Sequence, residues 1–142
     1  DEMHTLQQKP EGYRNLWRQG IMGVWATELT RPAIFQALME RRTFATTNVR
    51  TYLRFSVDGA CMGSEIAHTG PRKISVAAAS EVPFARVEIV RNGEDIILDE
   101  PNERIVEAEF EDPSLLTKPA HYYARLTRED GEMAWSSPVW VE

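Results

Sequence analysis

Ala85-Arg-Val-Glu-Ile-Val-Arg-Asn-Gly-Glu-Asp-Ile-Ile-Leu98 decides the fold. Two apolar, β-leaning runs flank Asn92-Gly93, a dipeptide whose residues adopt positive φ easily and so close a tight antiparallel turn. A hairpin is predicted here, and the same two-residue period extends outward from it in both directions. Upstream, Lys73-Ile-Ser-Val-Ala-Ala-Ala79 alternates, with Ile74, Val76 and Ala78 inward. Before that, Thr51-Tyr-Leu-Arg-Phe-Ser-Val57 places Leu53, Phe55 and Val57 on one face and Tyr52, Arg54 and Ser56 on the other, with Asp58-Gly59 as a turn. Met62–Ile66 reads as a short return strand and Ala67–Pro71 as a loop.

Downstream, Arg104–Phe110 sets Val106, Ala108 and Phe110 against Glu107, Glu109 and Glu111, and Asp112–Pro119 reads as a loop. A last hairpin joins Ala120–Thr127 to Met133–Val141 across Glu129-Asp-Gly131, with Pro138 marking a bulge or an edge because it cannot donate to a ladder. About seven short strands over roughly 90 residues predict an antiparallel β-sandwich, immunoglobulin-like or fibronectin-like in outline.

The first third reads differently. Thr30 is placed to cap a helix by accepting from the Ala33 N–H, Pro32 falls in the first turn, and Ile34, Phe35, Leu38 and Arg42 form a stripe that wants a sheet to pack on. Arg41 and Arg42 are expected in its last turn, where they complement the helix dipole. Ile21-Met-Gly-Val-Trp-Ala26 is a run of the kind buried on both faces, and Thr43–Thr47 leans to β, so strand, loop, helix and strand spell a βαβ unit. Asn48 is placed to take a left-handed turn. A weaker helix is expected over Pro10–Gln19, with Tyr13, Leu16 and Trp17 on one edge.

Residues 1–80 carry ten Lys/Arg against seven Asp/Glu, and residues 81–142 carry six against fifteen, so the net charge of −6 hides an acidic second half. That half is a poor surface for nucleic acid, since phosphate binding needs positive charge. No stretch approaches the ~20 apolar residues of a membrane span. A single cysteine, Cys61, excludes an internal disulfide, and the polar N-terminus lacks the apolar core of a signal peptide. A soluble chain is expected, with cytoplasm and periplasm both left open.

Gly23-Val-Trp-Ala26, Leu29–Leu38, Arg41–Thr47, Phe55–Gly63 and Tyr122–Trp140 together carry a resemblance. They are similar to the closing segment of polymerase-and-histidinol-phosphatase (PHP) type metal-dependent phosphoesterases, and more narrowly to a bacterial family of unknown function related to them. The resemblance implies that residues 1–48 are a C-terminal strand-helix remnant of a PHP-like α/β domain and that residues 49–142 form the sandwich. It implies a divalent metal such as zinc, manganese or iron for that parent domain only, an upstream PHP-like domain as partner, and a possible homo-oligomer.

Within the chain, His4, His68 and His121 are far apart and lack metal-ligand spacing, so no metal, cofactor or catalytic residue is assigned. Cys61 has no placed histidine, and Ser136-Ser137 lacks a nucleophile-elbow context. Since ligands of α/β folds bind at the carboxyl ends of strands, Thr27, Glu28, Arg42 and Thr46 are the candidates nearest a parent site. Two functions stay open: a non-catalytic accessory or oligomerisation end of a metal-dependent hydrolase, or an independent sandwich binding a glycan or a partner protein. The aromatics Tyr122, Tyr123, Trp135 and Trp140 offer a sugar-stacking strip for the latter, although alternation puts Tyr122 and Tyr123 on opposite faces.

Overall fold

A computed structural model describes residues 20–67 and 70–142; the helix expected over residues 10–19, His4 and His68 lie outside them. The chain is organised by one bent strand, β6 (Arg72–Arg91). Its first half pairs with β3 (Tyr52–Val57) on one edge and its second half with β9 (Ala120–Arg128) on the same edge. Along the opposite edge run β8 (Glu103–Asp112) and then β7 (Glu94–Asp99), so residues 72–112 form one long hairpin around Asn92-Gly93. The two turn residues take φ of 50° and 83°, as the dipeptide predicts.

The bend falls at Ser80–Pro83. Pairing with β3 stops at Ala79, the register to β8 shifts between Ala79 and Phe84, and Pro83 gives its carbonyl to Glu129 N–H at 2.9 Å. The sequence reads as two strands here, Lys73–Ala79 and Ala85–Arg91, and Pro83 falls in the gap between them. The structure keeps the strand continuous because the proline sits where the ladder is already interrupted. The result is a mainly β, curled antiparallel sheet folded into a sandwich.

One layer is β4 (Ala60–Cys61), β3, the first half of β6, and β8. The other runs β1 (Ile21–Val24), β2 (Thr43–Thr46), β10 (Met133–Ser136), β9 and the second half of β6, ending on β7. Pro138 breaks the strand that faces β9 into β10 and β11 (Val139–Val141), and β11 takes β5 (Glu65–Ile66) as its parallel neighbour. Of the expected return strand over 62–66 only Glu65–Ile66 is strand, since Met62–Ser64 turn the chain between β4 and β5. Leu53, Phe55, Val57, Ile74 and Val76 close on Val87, Ile89, Tyr122, Ala124 and Leu126, all 2% exposed or less. Burying each large side chain contributes roughly 1.5–3 kcal/mol, so this interleaving carries the stability of the sandwich.

The acidic second half also finds its place. Among the described residues the outer edge of β7 and β8 is unpaired, and these strands bear Glu94, Asp95, Asp99, Glu103, Glu107, Glu109 and Glu111. Charge along a free edge opposes strand addition by another chain. No helix among the described residues is long and apolar enough to cross a membrane.

The strand-helix-strand order of residues 21–46 is present, but its direction differs from the expected βαβ unit. β1 and β2 pair antiparallel, from Ile21↔Thr46 to Val24↔Thr43, and β2 then pairs with β10, so hydrogen bonding crosses residue 48 into the sandwich. The short α1 (Arg31–Met39) acts as a loop between neighbouring antiparallel strands, which needs no right-handed crossover. β1 is an edge strand, with Ile21 41% and Met22 57% exposed, and not the doubly buried run predicted.

Thr30 caps α1 from an extended conformation, its Oγ1 accepting from Ala33 N–H at 3.4 Å. The helix ends before Arg41, which adopts φ of 58°; it and Arg42 therefore lie beyond the last turn, contrary to expectation. Asn48 takes the left-handed turn its side chain favours, at φ 58°. Among the described residues the apolar stripe is covered only in part, by β1, with Ile34 half-buried. Only Ala37 is buried, while Phe35 and Met39 are 64% and 65% exposed and Leu38 is exposed beside them.

Candidate functional site

Alternation dictates the outer face of the β3-β6-β8 layer. Arg54, Ala77 and Glu107 are register partners in one row across the three strands, and Ser56, Ser75 and Glu109 form the next. Small residues on the central strand leave a trough between taller banks. Its near end is closed by the chain entering α1, because Trp25, Ala26 and Thr27 lie over β3 together with Arg42 from the return. The groove so enclosed has a volume of about 940 Å³, within the range of ligand pockets.

Trp25 builds this corner. Its Nε1–H donates to the Leu53 carbonyl at 2.7 Å, its ring lies 6.1 Å from Phe44 and 6.5 Å from Tyr52, and the Arg54 guanidinium stacks 4.1 Å from its centroid. Gly23 permits the approach of β1, since a Cβ there would sit 2.1 Å from the Phe44 ring. Arg54 is thereby held over the groove by cation–π contact, with no ion pair among the described residues. Arg42 reaches Glu40 at 3.0 Å through Nη2, yet its Nε is buried without a hydrogen-bond partner.

Of the four sequence candidates, Thr27 and Arg42 meet at the groove. Glu28 is exposed and accepts from Thr30 Oγ1 at 2.9 Å, and Thr46 is buried with its hydroxyl on the Val49 carbonyl at 2.6 Å. Arg54, Glu107 and Glu109 were read only as the solvated face of strands. Their alternation was legible, but the trough needs the strand order, which no local pattern gives.

Tyr122 is fully buried and donates to Asp112 Oδ2 at 2.7 Å, which removes it from any sugar-stacking strip. Trp140 is half-buried, with the Arg41 guanidinium 5.1 Å from its ring. His121 pairs with Trp140 on neighbouring strands. Among the described residues no group of three or more His, Cys, Asp or Glu side chains is gathered to hold a metal ion.

A family model of proteins of unknown function, DUF3604, matches residues 2–85, more than half of the chain. The chain belongs to the DUF3604 family. The matching model is DUF3604 and not a PHP-type family, so the relation to PHP phosphoesterases read from the sequence is corrected to membership of this family. The chain is similar to an uncharacterized protein of Chlamydia muridarum, at 32% identity over 140 residues, covering 87% of this chain and 22% of that protein. An uncharacterized protein of Chlamydia trachomatis serovar D matches at 33% with the same coverage. The chain thus spans about a fifth of the length of the curated relatives it matches. Among solved structures, fibronectin(III)-like modules of Clostridium thermocellum CbhA align with a TM-score of 0.45 at 19% identity, covering 61% of this chain and 93% of that one.

Proposed function

We propose that this chain is a non-catalytic β-sandwich module of a longer DUF3604 polypeptide, packed against the remainder of that polypeptide through the exposed apolar side of α1 and β1. The observation that carries the reading is the cluster Met22, Leu29, Phe35, Leu38 and Met39, of which Leu29 is 94% exposed. A helix whose apolar stripe faces solvent lacks its partner, and patches of this kind mark interaction surfaces. The relatives supply a source for that partner, since about four-fifths of their length lies outside the match. A partner in the same polypeptide is held at high effective concentration, so a modest patch suffices.

Hydrogen exchange on the 142-residue chain and on a full-length family member tests this. The α1 amides should exchange at least about tenfold more slowly in the longer protein, the signature of a covered helix. Equal exchange in both would sink the proposal. So would a concentration-dependent dimer of the short chain that Phe35→Ser disperses, because a second copy would then be the occupant.

A further inference from the structure

We infer that the groove over β3, β6 and β8 binds a short zwitterionic peptide in extended form, its carboxylate against Arg42 and Arg54 and its ammonium against Glu107 and Glu109. Four observations converge. Arg42 brings a second guanidinium to the groove, its side chain 25% exposed and one nitrogen on Glu40. Arg54 is fixed by the Trp25 ring and makes no ion pair with a carboxylate among the described residues. On the opposite bank Glu107 and Glu109 make no ion pair among the described residues, although such pairs engage many of the other arginines and acids. Finally, the floor between the banks is Ser75 and Ala77, too small to bridge them.

The spacing selects the ligand. Arg54 and Glu107 flank Ala77 in one row, two interstrand steps apart, or about 10 Å. A direct salt bridge cannot form at that backbone separation without both side chains leaning inward over Ala77. An extended tripeptide measures about 10 Å from its ammonium to its carboxylate, so it spans the banks with one charge on each. Ser56 and Ser75 offer hydroxyls to its amides along the way. A polyanion is disfavoured, because Glu107 and Glu109 would face it.

The test is a titration of the 15N-labelled 142-residue chain with Ala-Ala-Ala, N-acetyl-Ala-Ala-Ala and Ala-Ala-Ala-amide, followed by amide shifts. The free tripeptide should give saturable shifts at Ser56, Ser75, Ala77 and Glu107, and each end-blocked peptide should bind about fivefold more weakly, as partly exposed ion pairs allow. In Arg54→Gln the preference for the tripeptide over its amide should fall, Arg42 being left to hold the carboxylate. In Glu107→Gln combined with Glu109→Gln, the tripeptide and its acetylated form should become equal. Arg54→Lys, which keeps the charge, should retain the preference for a free carboxylate and serves where Arg54→Gln disturbs the Trp25 corner. Absence of saturable shifts at these residues in the folded wild-type chain, or equal shifts with all three peptides, overturns the proposal.

Discussion

Arg72 and Asp112 are cross-strand partners at the ends of β6 and β8, and their side chains meet in the interior, Nη2 to Oδ2 at 3.1 Å, with Arg72 wholly buried and Asp112 5% exposed. The pair is not alone. Tyr122 receives a hydrogen bond from Arg72 Nε at 3.0 Å and donates to Asp112 at 2.7 Å; Arg91 reaches Asp112 at 2.8 Å, and Ser114 closes the ring from the following loop. The network ties the hairpin of residues 72–112 to β9, at the end of the sandwich opposite the β6 bend.

Asp112→Ala should therefore destabilise the fold by about 3–5 kcal/mol, because it takes the carboxylate counter-charge away from the buried Arg72 guanidinium and breaks the hydrogen bonds that converge on Asp112. Tyr122→Phe, which removes one donor and one acceptor but keeps the ring packed, should cost about 1–3 kcal/mol. Urea unfolding with an unchanged slope measures both. If Asp112→Ala costs no more than an exposed substitution, the network is not a structural tie.

The same carboxylate makes stability depend on pH. Burial works against its charge, but hydrogen bonds from Ser114, Tyr122 and Arg72 overcome that and hold Asp112 well below the usual carboxylate range. Glu88 is also lowered, chiefly by its hydrogen bond from Arg125, against the opposing effect of burial. Both groups bind protons more readily unfolded than folded, so their contribution is present above the unfolded values of about 4 and is lost as pH falls through the folded ones. Urea midpoints should fall steadily below about pH 5 and flatten in Asp112→Asn. A wild-type profile that stays level into acid contradicts this.

Two glycines with similar backbone angles should respond differently. Gly63 has φ of 94°, and a Cβ there would lie 2.2 Å from the Glu40 carbonyl and 2.7 Å from that of Arg41. Those carbonyls have little room to yield, since Gly63 N–H is held by Pro138 at 2.8 Å and its carbonyl by Arg41 Nε at 3.0 Å. Gly63→Ala should cost about 3 kcal/mol or more. Gly93, at φ 83° with open space around it, should lose only about 1 kcal/mol as alanine. Similar losses at the two sites would show that φ alone, and not the contact, sets the cost.

Much of this architecture was legible locally. Leu53, Phe55 and Val57, or Ile74, Val76 and Ala78, declare their buried face by alternation, and Asn92-Gly93 declares its turn. Three features were not. The stripe Ile34, Phe35, Leu38 and Arg42 reads as a core face because periodicity assumes that the covering partner lies in the same chain. The βαβ reading of residues 21–46 failed because strand direction is set by β10, some 90 residues away, and not by the helix between the strands. Asp112 before Pro113 reads as a loop, and only the fold brings it to Arg72, Arg91 and Tyr122. The groove was half legible: Thr27 and Arg42 were picked for a strand-to-helix corner, whereas Arg54, Glu107 and Glu109 join them only through the strand order.

Trp25 provides the last prediction, since it pins the strand-helix-strand segment to the sandwich. Its indole N–H holds Leu53 on β3, and its backbone N–H holds Arg42 at 2.9 Å across the base of α1. Trp25→Phe keeps the backbone bond and most of the packing but strips the Leu53 carbonyl of its donor and shrinks the face on which Arg54 stacks. The loss should be about 1–2 kcal/mol, and it should be local. Hydrogen exchange should accelerate at Trp25 and Thr43–Thr46 while β9, at the centre of its layer, keeps its protection. Uniform acceleration across both regions would mean that the segment unfolds only with the whole sandwich, and that Trp25 contributes to the global core and not to a separable clasp over the groove.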